Sequence, residues 1–240
     1  MAYYTTKKSY LFEFDDSNHQ ILPNYQEIPP LTEILLSSHK LAGFDQVIGE
    51  INRDDYVMCV SYYSNGEIRD TQLGITGSLM IKRQDIESPP GLNSSPYIIE
   101  EIDDGCVREC AEELGIIPKK DYFSNNFSAV HILRRGNKQD VYTKTIDIKY
   151  CESYDPTIHQ GLNLEACDGW FDNRSQKVQI LVHGKLCDLI GVIKNIKHRI
   201  PSNDLETLKG IRLLHQKDVY NGMKFLNTVE RQKRYKKNNK

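Results

Sequence analysis

Hydrophobic and polar positions alternate with strand-like period along much of the chain, and the period lengthens to that of a helix in a few places. Tyr10-Leu11-Phe12-Glu13-Phe14 predicts a strand ended by Asp15-Asp16-Ser17-Asn18. Pro29-Pro30 then opens a short helix through Leu31, Ile34, Leu35 and Leu36. Tyr56 to Tyr63 is a Val- and Tyr-rich strand that turns at Ser64-Asn65-Gly66, where Asn-Gly signals a hairpin. Its partner is expected to begin near Thr71 and run through Ile81. Residues 84–97 form a long loop rich in Pro, Ser and Gly. Phe127 to Leu133 and Val141 to Lys149 predict two more strands around the turn Arg134-Arg135-Gly136-Asn137-Lys138. Lys177 to His183 reads as a buried strand, and Leu186, Leu189, Ile190, Ile193 and Ile196 recur at helical spacing. Thr207 to His215 suggests a further strand, with helix as the alternative. Val219, Met223, Leu226 and Val229 mark a closing helix. Strands interleaved with helices in this way predict an α/β protein with a mixed sheet covered on both faces.

One helical stretch carries candidate chemistry. After Asp103 or Asp104 as the expected N-cap, Glu109, Glu112 and Glu113 fall on one helical face at i, i+3 and i+4. Cys106, Val107, Cys110, Ala111 and Leu114 line the other. The three carboxylates converge with no basic side chain expected among them, and like charges at this spacing repel. A hard divalent cation is the natural compensation, because such ions take carboxylate oxygens. Gly115 ends the helix as a C′ glycine, and Pro118 prevents its resumption.

The pattern Arg108-Glu109-x-x-Glu112-Glu113-x-Gly115 resembles the core of the Nudix box. Glu100 stands at the distance the fuller signature requires before Arg108, whereas the signature's first glycine falls on Ser94, with Gly91 nearest. At average residue usage the five fixed residues coincide by chance at about one position in a million. The resemblance implies a Nudix-type α/β/α sandwich with a mixed β-sheet. It also implies metal-dependent cleavage of a pyrophosphate bond in a nucleoside diphosphate derivative. On that reading Mg²⁺ or Mn²⁺ is bound by Glu109, Glu112 and Glu113, one of which acts as general base. Arg108 is the orienting residue and pairs with Glu100. Gly77, with Gly74, brings backbone close to the phosphates, although a strand bulge explains the glycines equally well. Tyr97 is a candidate base-stacking residue or a plain hydrophobic anchor. Two alternatives go with the resemblance: an mRNA cap-hydrolysing enzyme, and an inactive Nudix-fold protein that binds nucleotide or RNA. Family members often form homodimers, and no residue here argues for or against one.

Bulk properties narrow the setting. The chain has 240 residues, 39% hydrophobic and 27% charged, as in ordinary globular proteins. Neither a signal-peptide core nor an apolar run of membrane-spanning length is evident, so a cytoplasmic protein with no membrane partner is expected. Six cysteines, none in a Cys-x-x-Cys pair and each beside apolar residues, predict reduced and mostly buried thiols. No two of the seven histidines stand at metal-ligand spacing, and His131 and His183 read as strand residues. Residues 231–240 carry six bases and no acids, which on a net charge of −2 leaves residues 1–230 at −8. Such a tail suits RNA or polyphosphate, or is simply solvated. The expected organisation is an N-terminal extension (1–50) packed on the core, a Nudix domain (51–230) and the basic tail (231–240).

Overall fold

A computed structural model of the chain describes residues 8–15, 20–28, 44–64, 67–83, 97–124, 127–132, 138–160, 162, 170–196 and 208–224. Strand alternation builds the centre of the fold. In β3 (Tyr56–Ser64), Met58 and Val60 belong to one buried cluster, while Val57 and Cys59 belong to another. The same split separates Ile211 and Leu213 from Leu214 in β12 (Leu208–His215), and Ile180 and Val182 from Leu181 in β11 (Trp170–Gly184). A sheet that is apolar on both faces must be covered on both. On the first face lie α2 (Ile102–Leu114), through Cys106, Cys110 and Leu114, and α3 (Leu186–Asn195), through Leu189 and Ile193. On the second lie α1 (Phe44–Glu50), through Val47 and Ile48, and a helix over residues 216–224 (α4), through Val219 and Met223. The chain is therefore a mixed α/β protein with helices on both faces of its main sheet.

The described part of that sheet has ten strands, mostly antiparallel. Its path starts from β2 (Gln20–Ile28) and passes through β1 (Ser9–Asp15), β12, β3, β11 and β5 (Ile75–Arg83). It ends at β6 (Tyr97–Ile99), while β4 (Glu67–Leu73) pairs with β3. The other edge of β11 holds β9 (Lys138–Asp147) in parallel, and β8 (Phe127–Ile132) pairs with β9. Directly after α2, β7 (Ile116–Pro118) pairs with β10 (Cys151–Ser153) in a separate ribbon.

Several expectations change. The partner of β3 begins at Glu67 and ends at Leu73, earlier than expected. Gly74, at φ 68°, breaks the chain there, and β5 continues as the neighbour of β11. The N-terminal strands are part of the main sheet, since β1 pairs with β12 as well as β2. Residues 208–215 are strand, which resolves the alternative left by the sequence. The expected helix after Pro29-Pro30, the turn at Arg134 to Asn137, most of the 84–97 loop, Cys167 and the basic tail lie outside the described residues. Among those described, Cys59, Cys106, Cys110, Cys151 and Cys187 are free, the first three of them buried. No helix among the described residues is long and apolar enough to cross a membrane.

Candidate functional site

Helix α2 is held against β5 by its apolar stripe, and that packing determines where its polar residues go. Gly105 lies against Leu79, where a Cβ would come within 2.5 Å of the Leu79 Cδ2. One turn later Glu109 reaches Gly77, and a Cβ built on Gly77 would stand 1.7 Å from the Glu109 Cδ. Only a glycine at position 77 leaves room for this carboxylate. The helix ends as expected at Gly115, whose backbone is left-handed (φ 66°, ψ 32°) and whose N–H bonds to the Ala111 carbonyl at 3.0 Å. Its start differs from expectation. Glu101 is the N-cap residue and provides no side-chain cap. Asp103 and Asp104 sit in the first turn, paired with Lys144 and Lys120.

Arg108 organises the acidic residues. Its Nε and Nη2 donate to the two oxygens of Glu100, each at 3.0 Å, a bidentate pair. Nη2 also donates to the Ser78 carbonyl at 2.8 Å. Nη1 donates to Glu109 Oε1 at 2.8 Å and to both oxygens of Glu112 at 3.2 Å. All five guanidinium N–H groups thus have an acceptor. Glu100 is in turn tied to β5, because its N–H donates to the Met80 carbonyl and its Oε2 accepts from the Met80 N–H. The Arg108–Glu100 pair therefore joins the strand before α2 to the middle of the helix, as the resemblance implied. The remainder is a correction. A carboxylate cluster without a basic partner was expected, but Arg108 Nη1 lies between Glu109 and Glu112.

The charges are nonetheless unbalanced. Glu100, Glu109 and Glu112 surround one guanidinium, and the Glu109 side chain is 9% exposed. Burial raises Glu109 most, Arg108 opposes that rise, and the charges of Glu112 and Glu113 add to it, leaving its pKa at about 7. Burial also raises Glu112, again with Arg108 opposing. For Arg108, burial favours the neutral form, but its bond to Glu100 and the three carboxylate charges outweigh that and hold it protonated. The neighbouring Cys106 and Cys110 thiols are pushed up by burial, which keeps them neutral.

Among the described residues no group of three or more His, Cys, Asp or Glu side chains is arranged to hold a metal ion. The donor set still fits a hard divalent cation. It consists of carboxylates only, it carries an excess of negative charge, and Glu109 Oε2 accepts no hydrogen bond among the described residues. Glu113, partly buried, lies close enough to Glu109 for its charge to be felt there.

Tyr97 is the first residue of β6, opposite Arg83, and is 47% exposed. Its ring meets Phe171 edge-on, with centroids 6.2 Å apart. Phe171 and Lys144 were not singled out from the sequence. Lys144 had one legible signal, since it alternates with Tyr142 and Ile146 and so occupies an inward strand position. His183 is a strand residue as expected, with Nδ1 2.9 Å from Asp55 Oδ2. Comparison with protein-family models, curated proteins and solved structures gives no significant match.

Proposed function

We propose that the chain is a metal-dependent Nudix-type hydrolase that cleaves a pyrophosphate bond in a nucleoside diphosphate derivative. The observation that carries the reading is the Arg108 clamp. It fixes Glu100 to the strand and gathers Glu109 and Glu112 beside the bare backbone of Gly77, in the order that the Nudix-like motif requires. A divalent cation such as Mg²⁺ or Mn²⁺, held by Glu109, Glu112 and Glu113, would supply phosphate neutralisation and a more acidic water. The chain's own residues position the site. Glu100 and Arg108 orient the helix, and Gly77 leaves the space that the Glu109 carboxylate fills, rather than a gap for phosphate.

A second reading is favoured by the same guanidinium. Arg108 Nη1 occupies carboxylate oxygens that a cation would need, as it would in a Nudix-fold protein that binds ligand without turnover. A panel of nucleoside diphosphate derivatives, incubated with Mg²⁺ and assayed for phosphate products, separates the two. The hydrolase reading expects turnover that is lost in Glu112→Gln. An absence of turnover across the panel, with nucleotide still bound, leaves the binding protein.

A further inference from the structure

The main sheet is covered on both faces at its centre and loses that cover at one end. In β6 all three side chains are exposed, Tyr97 by 47%, Ile98 by 50% and Ile99 by 45%. Alternation puts Tyr97 and Ile99 on one face and Ile98 on the other, so neither face of this strand is buried. Its outer edge is open as well, since the sheet path ends at β6 among the described residues. The ladder shows which backbone groups point that way. Glu100 N–H bonds to the Met80 carbonyl, so in an antiparallel pair the next residue turned towards β5 is Ile98, opposite Lys82. Tyr97 and Ile99 therefore point their N–H and C=O groups outward. Edge strands are normally blunted by a charge, a proline or a bulge, and β6 contains none of these.

An occupant must bond the open edge and cover apolar side chains on both faces. A lipid surface leaves the backbone groups unpaired, whereas a strand does both. We propose that this strand is β6 of a second copy, paired antiparallel about a twofold axis that passes through Ile98 normal to the sheet. The segment is self-complementary in that register. Tyr97 and Ile99 of each copy exchange hydrogen bonds with Ile99 and Tyr97 of the other, which uses every outward N–H and C=O and sets an aromatic ring beside a β-branched side chain. Ile98 meets its own symmetry mate on the opposite face. Helix α2 packs on β5 and β11, away from the open edge. The two β5 strands then stand three strand spacings apart, roughly 14 Å, which leaves room for both copies of α2 at about 10 Å each. At roughly 200 Å² for a large side chain, the three residues expose about 300 Å² per copy. That is below the ~800 Å² of a standard interface, so the dimer is weak, with a dissociation constant on the order of micromolar or above. The sequence argued neither for nor against a second copy; the strand edge argues for one, independently of the hydrolase reading.

Sedimentation equilibrium of the full chain from about 1 to about 500 µM, read together with amide hydrogen exchange, tests the dimer. The wild type should shift from monomer to dimer across that range. Protection of the Tyr97 and Ile99 amides should rise with concentration, while the Ile98 amide, bonded to β5, stays protected throughout. Ile98→Lys and Ile98→Glu change an exposed side chain and leave the β5 ladder intact. Each should weaken self-association at least about ten-fold through like charges at the twofold, and their equimolar mixture should recover that loss. A wild type that stays monomeric over the whole range overturns the proposal and gives the edge to another segment of this chain or to a different partner. A dimer unmoved by either substitution also overturns it, as does one whose Tyr97 and Ile99 amides exchange at a rate independent of concentration, because the contact then lies elsewhere. Loss of the dimer in both variants without recovery in the mixture overturns the twofold through Ile98.

Discussion

Replacing Glu109 with glutamine preserves side-chain size and removes one negative charge from a site nearly closed to water. The wild-type carboxyl is raised from 4.5 to about 7, mainly by burial and against the pull of Arg108. At about 1.4 kcal/mol per pKa unit, this places roughly 3 kcal/mol of destabilisation on the ionised form. The sign follows from proton binding. Between pH 4.5 and about 7 the folded protein holds the Glu109 proton more tightly than the unfolded chain, so this group removes stability as pH rises through that window. Glu109→Gln has no such proton. The variant should match wild type near pH 4 and become more stable towards pH 8, by up to about 3 kcal/mol. In a chain of this length that corresponds to roughly 6–12 °C in Tm. Urea unfolding at a series of pH values, with metal chelated, reads the difference directly. Carboxylates remote from the site cancel in the comparison because both proteins carry them, while Glu112 and Glu113, whose charges act on Glu109, contribute to the difference. A variant less stable than wild type at pH 8 by more than about 1 kcal/mol would refute the reasoning, since Arg108 would then more than compensate for burial.

Other perturbations probe the neighbouring contacts. Gly77→Ala places a Cβ inside the Glu109 carboxylate, so it should cost about 1–3 kcal/mol in thermal unfolding and abolish turnover. Glu100→Gln weakens the hold on Arg108 without touching the proposed ligands, and should lower divalent-metal affinity about 10–100-fold by calorimetry. Lys144→Met removes a buried ammonium whose pKa is lowered by burial. Its partner Asp103 is partly exposed, so stability by denaturant unfolding should stay within about 1 kcal/mol of wild type or rise. Gly115→Ala forces a side chain into a left-handed C′ position and should cost about 1 kcal/mol.

The layers of the fold were legible because alternation in β3, β11 and β12 places apolar residues on both faces, which only helices on both sides can bury. Helix α2 was legible in its stripe and its closing glycine. Gly74 misled because a glycine inside an apolar run resembles a bulge. The exchange of neighbours, from β3 before it to β11 after it, is a tertiary event with no local signature. The Arg108 clamp was half legible. Its link to Glu100 follows from the motif, and its i,i+4 spacing to Glu112 stood in the sequence. The reach of one guanidinium to three carboxylates depends on burial, which periodicity does not reveal. The N-cap expectation failed because Asp103 and Asp104 serve Lys144 and Lys120, side chains distant in sequence.

Whether Glu109, Glu112 and Glu113 hold a divalent cation is read by calorimetric titration of the full chain with Mg²⁺ and with Mn²⁺ near pH 7.5. Saturable binding that is lost in Glu112→Gln is the expected result. Heats that are absent, or that persist unchanged in that variant, would contradict it.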